Sequence, residues 1–126
     1  MITQKPRLRP QRVSLLTERR VEIVMDIYND VVNAVAREYG VPVAKMMSKR
    51  RNFELVMARN MACYILHTTF KQKASQIGPF FFRDRTTILH AVNNFPKDIE
   101  QVPFLKETYD LVMSRIVNNH SVYALK

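Results

Sequence analysis

The sequence predicts an all-α fold, a compact multi-helix domain built around a helix–turn–helix. Three observations carry that expectation. Apolar residues recur at helical rather than alternating spacing along most of the 126 residues. Only two glycines and no tryptophan are present, so hairpin-type turn chemistry is scarce. Prolines and the two glycines punctuate the chain at its helix boundaries instead of interrupting a period-2 pattern.

The elements follow in order. Residues 1–12 contain Pro6, Pro10 and the cations Lys5, Arg7, Arg9 and Arg12, with little apolar content, and are expected to form a flexible basic arm. A single helical domain is expected over 13–120, with 121–126 a tail. Ser14 or Thr17 can cap a first helix reaching Tyr28. Val31, Val32, Val35, Ala36 and Tyr39 define the buried face of a segment from Asp30 to Tyr39. Whether these are one helix or two is left open by the pattern. Gly40 suits a C′ position, and Pro42 blocks continuation. Val43–Met47 reads as a short helix, and Phe53–Thr69 as a long one with a stripe through Leu55, Ala58, Ala62 and Ile65. Ser75–Gly78 begins another short helix, with Pro79 at its end or in the turn. Thr86–Phe95 follows, with Asp84 as N-cap and Ile88, Val92 and Phe95 facing the core. Pro96 is expected to stop it. Pro103 opens or precedes an additional C-terminal helix within 104–119.

Net charge is +9, and its distribution is the second clue to function. Residues 1–20 carry six Lys/Arg against one acid, 45–59 five against one, and 71–85 four against one. Residues 21–44 are net acidic and 86–126 balanced. Basic clusters separated by neutral or acidic helices suggest a directional surface for nucleic acid. No run of about 18 apolar residues predicts a membrane span. The start of the chain lacks the apolar core of a signal peptide, so a cytoplasmic, nucleoid-associated protein is expected. One cysteine, Cys63, excludes an internal disulfide and a multi-cysteine metal site.

The densest chemistry lies in Ser75–Asn94. Arg83, Asp84, Arg85, Thr86 and Thr87 crowd the start of the second helix of a helix–turn–helix over 74–95. Free helix N–H groups, hydroxyls and guanidinium groups together suit phosphates and base edges. Two arginines at a helix start oppose the macrodipole, and a phosphate would relieve that conflict. Lys49, Arg50 and Arg51 form a second cluster whose mutual repulsion is relieved by solvent or a polyanion. Cys63 and His67 sit four apart, yet no further ligand or orienting acid accompanies them. A buried thiol and a surface or capping histidine are the expected roles. No catalytic constellation is found, so no enzyme is expected, and no cofactor or metal. Phe80–Phe82 reads as a plug under the turn; exposed, it would serve as a contact surface.

These residues resemble the C-terminal DNA-binding domain of the bacterial replication initiator family DnaA. The resemblance rests on Ala36-Arg37-Glu38-Tyr39-Gly40-Val41, Ser48-Lys49-Arg50-Arg51, Ile77-Gly78 and Arg83-Asp84-Arg85-Thr86-Thr87-Ile88-Leu89-His90-Ala91, and covers about 27–95. It implies a Trp-repressor-like helical domain whose second helix enters the major groove of double-stranded DNA. Asp84, Arg85, Thr86, Thr87 and His90 are then expected at base contacts. Lys49, Arg50, Arg51, Arg59, Lys71, Lys73, Ser75 and Arg83 are expected at the backbone or minor groove. The chain departs from the family at Arg85, where the signature has histidine. It departs again at Phe81-Phe82, where a longer turn carries glycines. No Walker A motif occurs, so a stand-alone module without the ATPase is expected. Such a module suits origin recognition or transcription regulation, with replication or transcription proteins as further partners and a phage or mobile-element source. The competing expectation is an interaction module on the same scaffold, using Phe80–Phe82 and the helix after Pro103.

Overall fold

A computed structural model describes the backbone of residues 11–119 and the side chains of 24–118. Among the described residues there are six helices and no strand: α1 Gln11–Tyr39, α2 Val43–Met46, α3 Phe53–Thr68, α4 Ala74–Phe81, α5 Arg85–Gln101 and α6 Pro103–Asn119. The basic arm expected over 1–12 lies outside the described residues except for its last two, which are already helical.

α1 is one helix of 29 residues. Neither glycine nor proline occurs within it to break the hydrogen-bond ladder. Ser14 and Thr17 therefore sit inside the helix rather than capping it, and Asn29 is an exposed interior residue. The helix ends where Gly40 takes φ +68. Gly40 N–H donates to the Arg37 carbonyl at 3.1 Å, and Val41 N–H to the Ala36 carbonyl at 3.0 Å. That pair of bonds is a Schellman cap, which needs a residue tolerant of the left-handed region.

α3 is the central helix, packed on α1 and α5, while α6 closes against α1 and α5. Its residues Ala58, Met61, Ala62, Ile65 and Leu66 are completely buried. Phe95 of α5 is also fully buried, with ring centroids 5.1 Å from Tyr64 and 6.0 Å from Tyr109. Burying one such ring is worth about 2–3 kcal/mol, so Phe95 ties α5 firmly to α3 and α6.

Two prolines expected to end helices lie within them. Pro79 is inside α4 and Pro96 inside α5. Each removes one backbone hydrogen bond. Packing on both sides explains the continuation. Ile77 and Phe81, four apart across Pro79, are 0% and 1% exposed. Phe95 is buried just before Pro96, and Ile99 packs on the same core just after it. A helix broken at either proline would lift the later residue out of the core.

Candidate nucleic-acid interface

The turn between α4 and α5 sets the site. Phe82 adopts the left-handed conformation, φ +57 and ψ +41. Phe82 N–H donates to the Pro79 carbonyl at 3.2 Å, and Arg83 N–H to the Gly78 carbonyl at 2.9 Å. This is a second Schellman cap, with a phenylalanine where glycine is favoured. Gly78 lies under the returning chain: a Cβ there would sit 2.6 Å from the Arg83 carbonyl oxygen. The sharp reversal therefore depends on a residue without a side chain at 78.

α5 starts immediately afterwards. Asp84 is its N-cap, and Oδ1 accepts from Thr87 N–H at 2.8 Å. Hydrogen bonds from the Thr87 backbone and side chain hold the Asp84 carboxyl below its usual range. Asp84 thus supplies the negative charge that the helix start favours. The electrostatic conflict expected from two arginines is met in part by the chain itself. Arg85, Thr86, Thr87 and His90 are exposed on the outer side of α5, while Ile88, Ala91 and Val92 face inward.

The second component is the connection from α2 to α3. Carbonyls at the ends of helices and in the loops after them lack intrahelical donors, and here arginines supply them. Arg59, only 8% exposed, uses Nη1 to donate to the carbonyls of Met46 and Ser48, each at 3.0 Å. Its Nη2 donates to the Arg50 carbonyl. Arg83 Nη1 donates to the Phe81 carbonyl at 2.8 Å, and Nη2 to the Ser48 carbonyl at 2.9 Å. Ser48 Oγ in turn donates to the Lys45 carbonyl at 2.6 Å and accepts from Arg50 N–H at 3.3 Å. Arg59 and Arg83, both expected at the DNA backbone, donate their guanidinium N–H groups to carbonyls of the chain. Burial first, then the proximity of Arg83 and Arg51, pulls the Arg59 pKa below its ordinary value.

A cleft of about 330 Å³ lies between these two components. Lys49, Arg51, Arg59, Asn60, Arg83 and Thr87 supply its polar lining, and Val56, Phe81, Ile88 and Ala91 its apolar walls. No carboxylate lines it. Lys49 and Arg51 are exposed at this cleft, whereas exposed Arg50 does not line it. Lys71, Lys73 and Ser75 are exposed around the start of α4, away from the cleft lining. Lys71 takes φ +57, and Lys73 N–H donates to Gln76 Oε1 at 2.9 Å.

Sequence reasoning missed Gln72 and Asn60. Gln72 organises the α3–α4 loop: it accepts from Tyr28 Oη at 3.1 Å, donates to the Phe70 carbonyl at 3.2 Å, and its own carbonyl pairs with His67 Nδ1 at 2.9 Å. A carbonyl only accepts, so His67 donates from Nδ1 and caps the loop, one of the two roles open to it in the sequence. Cys63 is buried at the base of the cleft, and burial pushes its thiol up to about 12. Asn60 carried one available signal, a poor helix former in mid-helix. Gln72 carried none.

The three phenylalanines divide. Phe81 is 1% exposed and is the expected plug. Phe80 is half-buried, its ring centroid 4.8 Å from that of Tyr28. Phe82 is 70% exposed. A three-ring contact surface is therefore not present. Among the described residues, no group of three or more His, Cys, Asp or Glu is placed to hold a metal ion. No helix among them is long and apolar enough to cross a membrane.

Residues 28–94, more than half of the chain, match the family described as the bacterial dnaA protein helix-turn-helix. The chain is 33% identical over 87 residues to the chromosomal replication initiator protein DnaA of Mycoplasma pneumoniae, covering 69% of this chain and 19% of that protein. It is 30% identical over 87 residues to the Deinococcus radiodurans protein of the same name, with the same coverage of both chains. With the Nitrobacter hamburgensis protein it shares 30% identity over 110 residues, 86% of this chain and 21% of that one. The chain thus spans about a fifth of the length of these relatives.

Proposed function

This chain belongs to the bacterial DnaA helix–turn–helix family, and on that premise we propose that it binds double-stranded DNA sequence-specifically, in replication-origin recognition. α5 enters the major groove by its N-terminal half, and Arg85, Thr86, Thr87 and His90 address base edges. Arginine in the place of the signature histidine brings a fork that matches guanine O6 and N7, so this chain prefers a different base there. Lys49, Arg50 and Arg51 follow the adjacent backbone, with Lys71, Lys73 and Ser75 as phosphate contacts at the start of α4. Asp84 contributes by capping α5 and so fixing where Thr87 stands.

One observation carries this reading: Lys49, Arg51 and Thr87 line a single cleft that no carboxylate lines. The basic loop and the start of α5 therefore address the same ligand, and a phosphate backbone supplies the missing negative charge. Selection of duplexes from a random pool, followed by mobility shifts on the enriched and a scrambled duplex, tests it. An enriched motif bound more tightly than its scramble supports the reading. A flat pool moves the weight to a protein-interaction module, which the 70% exposure of Phe82 would then serve. A role in transcription regulation uses the same contacts and differs only in where the selected site lies.

A further inference from the structure

We propose that Arg83, with Arg59, is a positioning residue that locks the basic loop to the helix–turn–helix, so that Lys49–Arg51 and the start of α5 meet DNA as one preset unit. The proposal rests on the DNA-binding reading for its consequence and on the hydrogen-bond geometry for its substance.

Arg83 stands in the turn that leads into α5, while Ser48 lies 35 residues earlier, after α2. Its two terminal nitrogens reach acceptors on different elements: Nη1 the Phe81 carbonyl at the end of α4, and Nη2 the Ser48 carbonyl in the loop. Arg59 approaches the same Ser48 carbonyl from α3 and adds Met46 and Arg50. One carbonyl thus joins three segments through two guanidinium forks. Lys49 and Arg51 flank this knot at the cleft, and Thr87 lines the cleft from α5. Without the knot, three exposed cations on a connection between helices would be free to separate, since like charges repel. With it, the loop cations and the recognition helix hold a fixed spacing before any ligand arrives, and the ordering cost of binding falls.

The chemistry separates this role from direct phosphate contact. A lysine can replace an arginine as a point charge on phosphate, but it has no planar fork to reach two carbonyls on different elements. Arg83→Lys keeps the net charge and is the decisive variant. The probes are a duplex selected by the unaltered protein and a scrambled duplex of equal composition. Affinity for the selected duplex is expected to fall about tenfold, the size of one or two lost hydrogen bonds, with the salt slope unchanged. In the free protein, the Arg50 amide, which donates to Ser48 Oγ, is expected to exchange with solvent about tenfold faster, with core amides unaffected.

Binding at the original affinity, or original exchange at the Arg50 amide, would overturn the proposal. If the unaltered protein selects no duplex, the DNA reading fails, and the exchange measurement still decides the clamp. Should Arg83→Lys not fold, Arg83→Gln, which retains a donor for only one of the two carbonyls, serves for the exchange measurement with the same two outcomes.

Discussion

Arg59 and Arg83 share one acceptor: the Ser48 carbonyl oxygen lies 3.0 Å from Nη1 of the first and 2.9 Å from Nη2 of the second. Two cations meet at one oxygen in the loop just after α2, where no regular helical ladder supplies a backbone donor. Arg59→Met removes one donor from each of three carbonyls, of which Ser48 keeps Arg83 while Met46 and Arg50 lose their guanidinium partner. The variant is expected to lose about 2–4 kcal/mol, the penalty for leaving the buried Met46 carbonyl and the part-buried Arg50 carbonyl without their charge-assisted donor. Lys49→Ala, at an exposed loop position, is expected to leave stability unchanged. Denaturant unfolding of both would reveal it; equal midpoints would remove Arg59 from the supports of the fold.

Asp84 makes the start of α5 pH-dependent. Its folded-state pKa lies below the unfolded value of about 3.9, so its stabilisation is present above that value. It is lost as the pH falls through the folded value. The melting temperature of the unaltered protein should exceed that of Asp84→Ala at neutral pH, and the gap should close in strong acid. A gap independent of pH would mean that the carboxylate is not what caps α5.

Cys63 is a sequestered thiol. Its side chain is buried, and its pKa is raised to about 12 by loss of water. At pH 8 a disulfide reagent is expected to leave the folded protein unlabelled and to label it at once in denaturant. Rapid stoichiometric labelling of folded protein would show that the cleft opens down to its base.

Local strain should be removable. Phe82 sits in the left-handed region while 70% exposed, so Phe82→Gly gives up little burial. Relief of about 1–2 kcal/mol of backbone strain, less the entropy cost of glycine, predicts a gain of up to about 1 kcal/mol. Pro96→Ala restores an N–H inside α5 and is expected to raise the denaturation midpoint as well. A loss of stability in either variant would show that the present residue is held by packing, not merely tolerated.

Base readout and backbone contact should separate on duplexes. Arg85→Ala and Thr87→Ala are each expected to cost about 1–3 kcal/mol of discrimination between the selected and scrambled duplex. Lys49→Ala should weaken both equally and reduce the salt slope by about one. Equal losses on both duplexes for Arg85→Ala would assign that side chain to phosphate.

The helices, their order and the residues around the turn were legible in the sequence, because hydrophobic spacing, Gly40, Asp84 and Pro103 act through neighbours three or four positions away. Those are local interactions, and the chain encodes them locally. Three things were decided only by tertiary packing. Pro79 and Pro96 lie inside helices because Phe81 and Ile99 have core sites to reach. Arg59 and Arg83, read in the sequence only as basic residues for DNA, both donate to the Ser48 carbonyl. The burial and the 35-residue separation that direct Arg83 to that carbonyl have no signature in a list of basic residues. Phe80–Phe82, one run in the sequence, became a half-buried stack, a core plug and an exposed ring. A left-handed residue reverses the chain there, and neighbouring side chains are sent in different directions.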